Sequence, residues 1–358
     1  MYHQSLLRVF PTATALFAAL IITSTTAAQT DKPLPIPDDT LPAELPLNEV
    51  PLGLSSDRPL PPGNELSAER VRLGRRLFFD PGLSSDGTVS CATCHLPDRA
   101  FTSSDPLAIG VGKAVGRRNT PTIVNRAYGK FFFWDGRSPS LEDQALQPIE
   151  NPIEMANKLS AVIDSLRADA SYREQFDAAY PGGVTTENLA RALASFQRVV
   201  LSGNSAADRF QAGDFSSLSD EARQGMWIFE SRGQCWRCHS GPNYTDEAFH
   251  NTGVSWGKTP LDLGRFEVTE KEADRGRFHT PTLRDIHLTA PYMHDGSIAT
   301  LDEVVEFYNK GGVANPHLDS VIRPLNLSER DKKALVAFLK ALAGSEQAEP
   351  SGKEKQEK

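Results

Sequence analysis

The sequence predicts an all-α protein built from two loop-rich domains in tandem. The segments 189–200 and 333–342 space their apolar residues by three and four, which is typical of amphipathic helices. No long stretch alternates apolar and polar residues in the way of a half-buried strand. Three short strings recur 160 residues further along the chain, so we expect one structural unit to occur twice. The recurring strings are Thr120-Pro121-Thr122 and Thr280-Pro281-Thr282, Asp135-Gly136 and Asp295-Gly296, and Leu141-Glu142-Asp143 and Leu301-Asp302-Glu303.

The N-terminus is typical of a secretory signal peptide, which we place at residues 1–28. Arg8 precedes a ten-residue apolar stretch at 13–22, and small residues lead up to a predicted cleavage near Ala28. The alternative is an uncleaved anchor. Either interpretation places the rest of the chain outside the cytoplasm, so we predict a periplasmic protein.

Four further segments follow from composition and from the repeat. Residues 29–65 are rich in proline, which predicts an extended lead-in. The two domains are expected at 66–205 and 206–343. Residues 344–358 are charged and predicted to be disordered. Helical segments are predicted at 70–79, 189–200, 221–229 and 333–342.

Charge and hydropathy exclude two broad classes of protein. The formal net charge is −8 and the isoelectric point is about 5.6, which argues against a nucleic-acid binder because such proteins usually carry a basic face. No apolar run reaches the ~18–20 residues that a transmembrane helix needs. Because 39% of the residues are hydrophobic, each predicted domain can bury a core.

All four cysteines fall in two Cys-x-x-Cys-His strings. This spacing is the attachment signal of c-type haem, in which both thiols form thioethers to the porphyrin and the histidine becomes the proximal iron ligand. The strings are Cys91-Ala-Thr-Cys94-His95 and Cys235-Trp-Arg-Cys238-His239. We therefore predict two cytochrome c-type domains, each with one covalent haem. Zinc is the alternative, although a histidine directly after each cysteine pair is unusual for a zinc site. Disulfides are a further alternative in an exported chain.

The two haems are predicted to differ at the sixth coordination position, which decides between electron transfer and peroxide chemistry. Between residues 29 and 234 the only histidine is His95 and the only methionine is Met155. The first haem therefore has no spare histidine in its own domain. Candidate ligands in the second domain are His250, His279, His287, His294, His317, Met226, Met293 and Tyr308.

The repeat assigns Tyr308 to the second haem. Its equivalent 160 residues earlier is Pro148, whose side chain cannot bind iron, so we expect an open first haem. Glu154 lies six residues beyond Pro148, where a carboxyl group can take a proton from bound peroxide and return it to the leaving oxygen. Three alternatives remain at this point: Met293 as ligand of the second haem, Met155 as ligand of the first, and Glu154 as a solvated loop charge.

These residues resemble the bacterial di-haem cytochrome c peroxidase family, including its MauG branch, over roughly 65–343. The motifs that carry the resemblance are Arg118-Asn119-Thr-Pro-Thr, Phe133-Trp134-Asp135-Gly136-Arg137, Gln144, Asn151-Pro-Ile-Glu154-Met155, Thr280-Pro-Thr-Leu-Arg284 and Pro291-Tyr-Met-His294-Asp-Gly296. The resemblance implies that the N-terminal haem reacts with peroxide and that the C-terminal haem passes electrons.

The resemblance also implies roles for individual residues. The family glutamate for peroxide cleavage falls on Glu154, a glutamine of the same pocket on Gln144, and a tryptophan between the haems on Trp134. An inter-domain calcium ion is implied at the Asn119 side chain and the backbone carbonyls of Thr289 and Pro291, because calcium prefers oxygen ligands. Arg137 and Arg284 are candidates for the haem propionates.

Two departures from the family pattern point to the MauG branch. Many cytochrome c peroxidases carry a removable distal histidine in an Ile-Gly-His-Gly setting, where this chain has Ile109-Gly110-Val111-Gly112. Those enzymes place a methionine on the electron-transfer haem, where this chain has Tyr308, as MauG does. The resemblance therefore favours storage of oxidising equivalents over simple shuttling of electrons.

The predicted function is that of an exported di-haem peroxidase acting on hydrogen peroxide. The reducing partner is expected to be a small cytochrome or copper protein, or a partner protein that is oxidised at a tryptophan or tyrosine. The rival hypothesis is an electron carrier without peroxidase activity, whose haems are both six-coordinate. Monomer and homodimer are both compatible with the sequence.

Overall fold

α-Helices supply most of the regular structure in residues 47–344, the part of the chain that the computed structural model describes. The helices are α1 (Ala68–Phe79), α2 (Cys91–Cys94), α3 (Leu141–Glu150), α4 (Leu159–Ala168), α5 (Ala170–Ala179), α6 (Thr186–Val199), α7 (Ala206–Gln211), α8 (Asp220–Glu230), α9 (Phe266–Thr269), α10 (Leu301–Asn309) and α11 (Glu329–Lys340). Seven short 3₁₀ turns connect them. The predicted helical class is confirmed, with one small addition. Strands β1 (Phe249–His250) and β2 (Phe278–His279) form an antiparallel pair that the sequence did not predict.

Several predicted segments lie outside the described residues. They are the signal peptide at 1–28, the lead-in as far as residue 46, and the tail from residue 345 onward. Within 47–344, no helix combines the length and the apolar composition that crossing a bilayer requires.

The four helices predicted from periodicity begin at hydroxyl side chains. The hydroxyls of Ser67, Thr185, Ser219 and Ser328 accept hydrogen bonds from backbone N–H groups in the first turns of α1, α6, α8 and α11. Such caps satisfy N–H groups that have no partner within the helix, and each contributes about 1 kcal/mol. The caps explain why these helices begin one to four residues before the predicted segments.

The repeat is visible in two matching pairs of packed helices. Helix α1 packs against α6, and α8 packs against α11. A Cβ atom placed on Gly74 of α1 would lie 1.9 Å from the carbonyl oxygen of Ala192, and one placed on Gly225 of α8 would lie 1.9 Å from that of Ala334. Both pairs therefore depend on a glycine that lets two helix backbones come close together.

Buried apolar side chains form two large clusters along the chain. The first apolar cluster extends from Leu73 to Val200 and includes residues of α1 and α3 to α6. The second extends from Ala207 to Leu342 and includes residues of α8, α10 and α11. Polar contacts join the two regions, among them Arg126 with Glu247 at 2.9 Å.

Part of the proline-rich lead-in forms a turn that touches both regions. Within this strap, defined here as residues 51–55, the Leu52 carbonyl accepts from Asn204 N–H at 2.7 Å, and the Ser55 carbonyl accepts from the Tyr128 hydroxyl at 2.8 Å. The Gly53 carbonyl accepts from Arg284 at 2.9 Å. Gly53 has a φ of 89°, a conformation that glycine adopts without strain. The strap therefore turns where the composition predicts an extended segment.

Candidate haem and peroxide site

The first Cys-x-x-Cys-His string is a short helix followed by a histidine with a fixed ring. The His95 N–H donates to the Cys91 carbonyl at 2.9 Å, and His95 Nδ1 lies 2.9 Å from the carbonyl oxygen of Phe101. Because a carbonyl only accepts, Nδ1 carries the proton in this contact. Burial lowers the pKa of His95, which favours the neutral ring. The Nε2 lone pair is therefore available to a metal.

The second string repeats this arrangement. The His239 N–H donates to the Cys235 carbonyl at 2.9 Å, and His239 Nδ1 lies 3.0 Å from the carbonyl oxygen of Tyr244. Burial also lowers the pKa of His239. The acceptor residues adopt the left-handed conformation in both strings, with φ of 57° at Phe101 and 49° at Tyr244. This conformation is uncommon outside glycine, and here it turns a carbonyl toward the histidine ring.

The cysteines are separate thiols and form no disulfide, and all four lie within the described residues. Burial raises the pKa of Cys91 and of Cys235 to about 12, and that of Cys94 to about 11. Within the described residues, no group of potential metal-ligand atoms contains both cysteines of either string, which disfavours the zinc alternative. The set of two thiols and one free imidazole nitrogen fits a c-type haem.

A cavity of about 510 Å³ adjoins the first string and is lined by Cys91, Cys94 and His95. Its wall includes apolar side chains, such as Phe78 and Met155, and the Arg137 side chain. Apolar walls suit a porphyrin, and a guanidinium suits its carboxylates. The predicted site residues on the same wall are Asn119, Trp134, Gln144, Glu154, Thr289 and Pro291.

Arg284, the other candidate for a propionate, is buried in a network of polar contacts. It is 1% exposed and pairs with Asp208 at 2.7 Å, and it also donates to the carbonyls of Gly53 and Pro242. Arg284 holds the strap and lines a second cavity beside His239, not the first cavity.

Glu154 follows the C-terminal end of α3 and faces the cavity. Burial raises the pKa of its carboxyl group, although Asn151 Nδ2 opposes this by donating to Glu154 Oε1 at 2.6 Å. A carboxyl group with a raised pKa is suited to exchange protons near neutral pH. Pro148, the repeat equivalent of Tyr308, lines the same cavity. Glu154 is therefore not a solvated loop charge.

Trp134 lies where the two halves of the repeat meet. Its Nε1 donates to the Asn119 carbonyl at 2.9 Å, and its own carbonyl accepts from His279 N–H at 2.8 Å. The ring meets His294 edge-on, with centroids 6.3 Å apart. His294 also stacks on Phe278 at 3.5 Å, and burial lowers its pKa to about 4. Trp134 and His294 are equivalent in the repeat, and their direct contact was not predicted.

The residues implied for calcium share one wall of the cavity. Asn119 donates through Nδ2 to the carbonyls of Asp105 at 3.3 Å and Pro106 at 3.1 Å. These bonds fix the amide so that Oδ1 remains available as a ligand. Thr289 and Pro291 belong to the other half of the repeat and line the same cavity. Oxygen donors of this kind suit calcium.

Tyr308 on α10 is buried near Cys235 and Cys238 of the second string. Burial raises the pKa of Tyr308, and Cys238 and Cys235 raise it further. Met293, the alternative ligand, lines the cavity of the first string and also packs against the second apolar cluster, which Cys235 adjoins. Tyr308 therefore stays the predicted ligand and Met293 its alternative.

His250 forms a cluster that sequence reasoning missed. Its two ring nitrogens bond to Asp319 at 2.6 Å and to Asp246 at 2.9 Å, and the Asp246 hydrogen bond is the main cause that raises its pKa to about 11. Cys238, Asp246 and His250 place possible metal-ligand atoms within 4.8 Å of one another. Since both His250 nitrogens already bond carboxylates, we interpret the cluster as an ion-pair network. Asp319 is 69 residues from His250, and no local signal connects them.

Comparisons with known proteins agree with this geometry. The sequence model of the family described as di-haem cytochrome c peroxidase matches residues 68–216. The chain is 40% identical over 295 residues to methylamine utilization protein MauG of Methylorubrum extorquens, covering 82% of each chain. It is 34% identical over 366 residues to cytochrome-c peroxidase IdrP1 of Denitromonas iodatirespirans, covering 93% of each chain. A solved MauG-like protein associated with microbial copper homeostasis has a TM-score of 0.75 at 33% identity, over 85% of this chain and 96% of that one.

These likenesses extend over the residues that form the site. The family match at 68–216 contains the first string, Trp134 and Glu154. The likeness that covers 93% of the chain contains both strings. The chain therefore belongs to the di-haem cytochrome c peroxidase family and is an oxidoreductase related to both MauG and the cytochrome c peroxidases.

Proposed function

We propose that this protein reduces hydrogen peroxide at a haem attached to Cys91 and Cys94, with His95 as its proximal ligand. One hydrogen peroxide takes up two electrons and two protons and gives two waters. The observation that carries the proposal is that Glu154, whose pKa is raised by burial, lines the same cavity as His95. When bound, the haem supplies an iron centre that exchanges electrons with peroxide.

The chain's own residues handle the proton. The Glu154 carboxylate takes a proton from one peroxide oxygen and returns it to the oxygen that leaves as water. Asn151 orients that carboxylate through the 2.6 Å hydrogen bond to Oε1. Gln144, one helix turn before Pro148 on α3, offers an amide to the same cavity. His95 keeps Nε2 aimed at the metal because Phe101 holds Nδ1.

The second centre supplies or stores oxidising equivalents. Cys235, Cys238 and His239 would hold its haem, and Tyr308 would supply an oxygen ligand to the iron. An anionic oxygen ligand stabilises the oxidised metal, which suits storage better than relay of single electrons. Trp134 and its contact residue His294 couple the two centres.

The electrons come from a small cytochrome or copper protein, or from a tryptophan or tyrosine of a partner protein that is oxidised at long range. Tyr308 and the 40% identity to MauG favour the second source. Val111 supports the same choice, because many cytochrome c peroxidases carry a distal histidine at this position.

The same proposal includes the architecture around the site. Two cytochrome c-type domains, at 66–205 and 206–343, each carry one covalent haem. A calcium ion bound by Asn119, Thr289 and Pro291 holds the domains together. Residues 1–28 direct the chain to the periplasm.

Rapid mixing of the oxidised protein with hydrogen peroxide, without reductant, tests the proposal. The wild-type Soret band is expected to change quickly, and Glu154→Gln is expected to react roughly 10²–10⁴ times more slowly because it cannot accept the proton. Glu150→Gln is the matched control, since Glu150 is exposed at the end of the same helix. Equal rates for wild type and Glu154→Gln would remove Glu154 from the reaction.

One observation keeps the electron carrier as a second candidate, because Met155 lines the cavity of the first string. If Met155 binds the first iron, the oxidised protein shows two low-spin haems and does not react with peroxide. Met155→Leu would then convert the first haem to high spin. An unchanged spin state in this variant, together with a fast wild-type reaction, excludes the carrier.

A further inference from the structure

We propose that Gly110 is a positioning residue that holds the backbone of Glu154 in place within the first cavity. It belongs to the brace, defined here as the loop formed by residues 109–115. The inference deepens the proposed function and rests on the role of Glu154 in proton transfer. Gly110 lines the cavity but has no side chain with which to take part in the reaction.

The brace connects the first string to Glu154 through its main chain. The Val111 N–H donates to the Glu154 carbonyl at 2.8 Å. On the other side, Cys94 Sγ lies 3.6 Å from the carbonyl oxygen of Ile109. The loop is closed on itself by a bridge between Ile109 and Val115 and by the Gly110 N–H donating to Ala114 at 2.9 Å. A short closed loop thus links the haem-attachment helix to the acid–base segment.

A glycine is required at position 110 because neighbouring atoms leave no room for a Cβ atom, and not because of its backbone conformation. Its φ of −104° and ψ of −162° are open to any residue. A Cβ atom at this position would lie 2.2 Å from the Ile153 carbonyl oxygen, 2.4 Å from that of Glu154 and 2.7 Å from Glu154 Cα. All three are backbone atoms, so they cannot rotate away as the end of a flexible side chain would. Any side chain at Gly110 therefore displaces Glu154.

The opposite side of the Glu154 segment is fixed as well. The Met155 N–H donates to Pro148 at 3.2 Å, and the Met155 carbonyl accepts from Ser85 at 2.9 Å. Glu154 is therefore held between α3 and the brace, and its carboxyl group cannot keep its position if the brace moves. A misplacement of about 1 Å can cost roughly 10²-fold in rate, because proton transfer depends strongly on geometry.

Gly110→Ala in the full-length holoprotein tests the proposal, with Gly112→Ala as matched control. Gly112 lies in the same loop at a φ of 63°, and a Cβ atom placed on it would have nothing within 4 Å, so this variant adds backbone strain without a clash. We expect Gly110→Ala to react with peroxide roughly 10² times more slowly. Hydrogen exchange of the Val111 amide is expected to accelerate, and the pH at which the rate falls is expected to move. Gly112→Ala is expected to change none of these three readouts by a comparable amount.

A double variant separates positioning from a general loss of structure. If Gly110 acts through Glu154, then Gly110→Ala adds no further slowing to Glu154→Gln. Additive slowing, or a wild-type rate for Gly110→Ala, would overturn the role of Gly110. A wild-type rate for Glu154→Gln would instead overturn the proposed function, so the two failures are distinguishable.

Val111→Pro gives a second route if Gly110→Ala does not incorporate haem. It removes the N–H that bonds the Glu154 carbonyl and places the proline ring against that oxygen, so it also displaces the Glu154 backbone. The extended backbone of Gly110 is also compatible with a following proline. We expect Val111→Pro also to react more slowly with peroxide. An unchanged rate would contradict the role of the brace in positioning Glu154.

Discussion

The chemical state of the site residues depends on the backbone groups around them. A carbonyl fixes Nδ1 of His95 and of His239, and each carbonyl comes from a residue in the left-handed conformation. The pKa of Glu154 depends on two opposing effects: burial raises it, and the hydrogen bond from the Asn151 amide lowers it. Changing a single hydrogen-bond donor therefore has a defined consequence for the chemistry.

Asn151→Ala is expected to move the acid limb of the peroxide reaction to higher pH. Asn151 lowers the pKa of Glu154 by donating to its carboxylate, so removing this bond lets burial raise the pKa further. Because Glu154 must be ionised to accept a proton, the rate then falls at a higher pH. Rapid-mixing rates measured across pH check the direction. Asn157→Ala, which removes a bond to the Leu83 carbonyl instead, should leave the limb in place.

Tyr308→Phe is expected to change the second haem alone. Phenylalanine lacks the oxygen that binds iron, so the second haem should shift toward high spin while the first keeps its spectrum. Absorption and low-temperature paramagnetic resonance spectra of the oxidised protein report this shift. Tyr244→Phe removes a phenol beside the same string but leaves the backbone carbonyl that holds His239. Identical spectra for wild type and Tyr308→Phe would show that another residue is the ligand.

At the scale of elements, two helix pairs carry the repeat, and each depends on close backbone contact. We expect Gly225→Ala to destabilise the protein by about 1–3 kcal/mol, because its Cβ would meet the Ala334 carbonyl at 1.9 Å. Alanine is the better helix former by about 1 kcal/mol, so a net loss shows that packing outweighs propensity. Urea unfolding measures the change. Gly74→Ala should behave alike, whereas Glu174→Ala, exposed on α5, should have little effect.

The sequence predicted elements well where one local pattern determines them. Apolar spacing located α6 and α11, and the 160-residue offset led to Pro148, which lines the first cavity. The same offset predicts Tyr308 as the ligand of the second haem, which stays a prediction. The offset could not predict that Trp134 and His294 touch, because a repeat identifies equivalent residues without showing how two copies pack. The strands β1 and β2 have two residues each, too few to produce any alternation.

Across the whole molecule, the two apolar clusters are joined by buried charge. Glu247 is 8% exposed and bonds Arg126 at 2.9 Å and His279 at 3.1 Å. Burial opposes its ionisation, but the His279 hydrogen bond and the Arg126 charge lower its pKa to about 2. Arg126 lies in the first half of the repeat, and the other two lie in the second half. Such contacts between distant segments leave no local trace in the sequence.

Glu247→Gln is expected to weaken this junction in a pH-dependent way. An unfolded glutamate has a pKa of about 4.3, so the ionised Glu247 stabilises the fold above that pH and loses its contribution as the pH falls toward 2. The variant should lose about 3–5 kcal/mol near pH 7 and show a flatter stability curve between pH 4 and 2. Urea unfolding at several pH values measures both. Glu272→Gln, from an exposed pair with Arg275, is the control, and parallel curves for Glu247→Gln and wild type would contradict the assignment.

The strap imposes an order on the making of the protein. Gly53 is synthesised early, yet its partner Arg284 follows 231 residues later, so this contact cannot form until nearly the whole chain has been made. Contacts between such distant residues are slow to form, because a long loop must close first. The Arg284 contact closes a longer loop than the contacts of Leu52 with Asn204 and of Ser55 with Tyr128. We expect the strap to be fully docked only when the segment that carries Arg284 has folded.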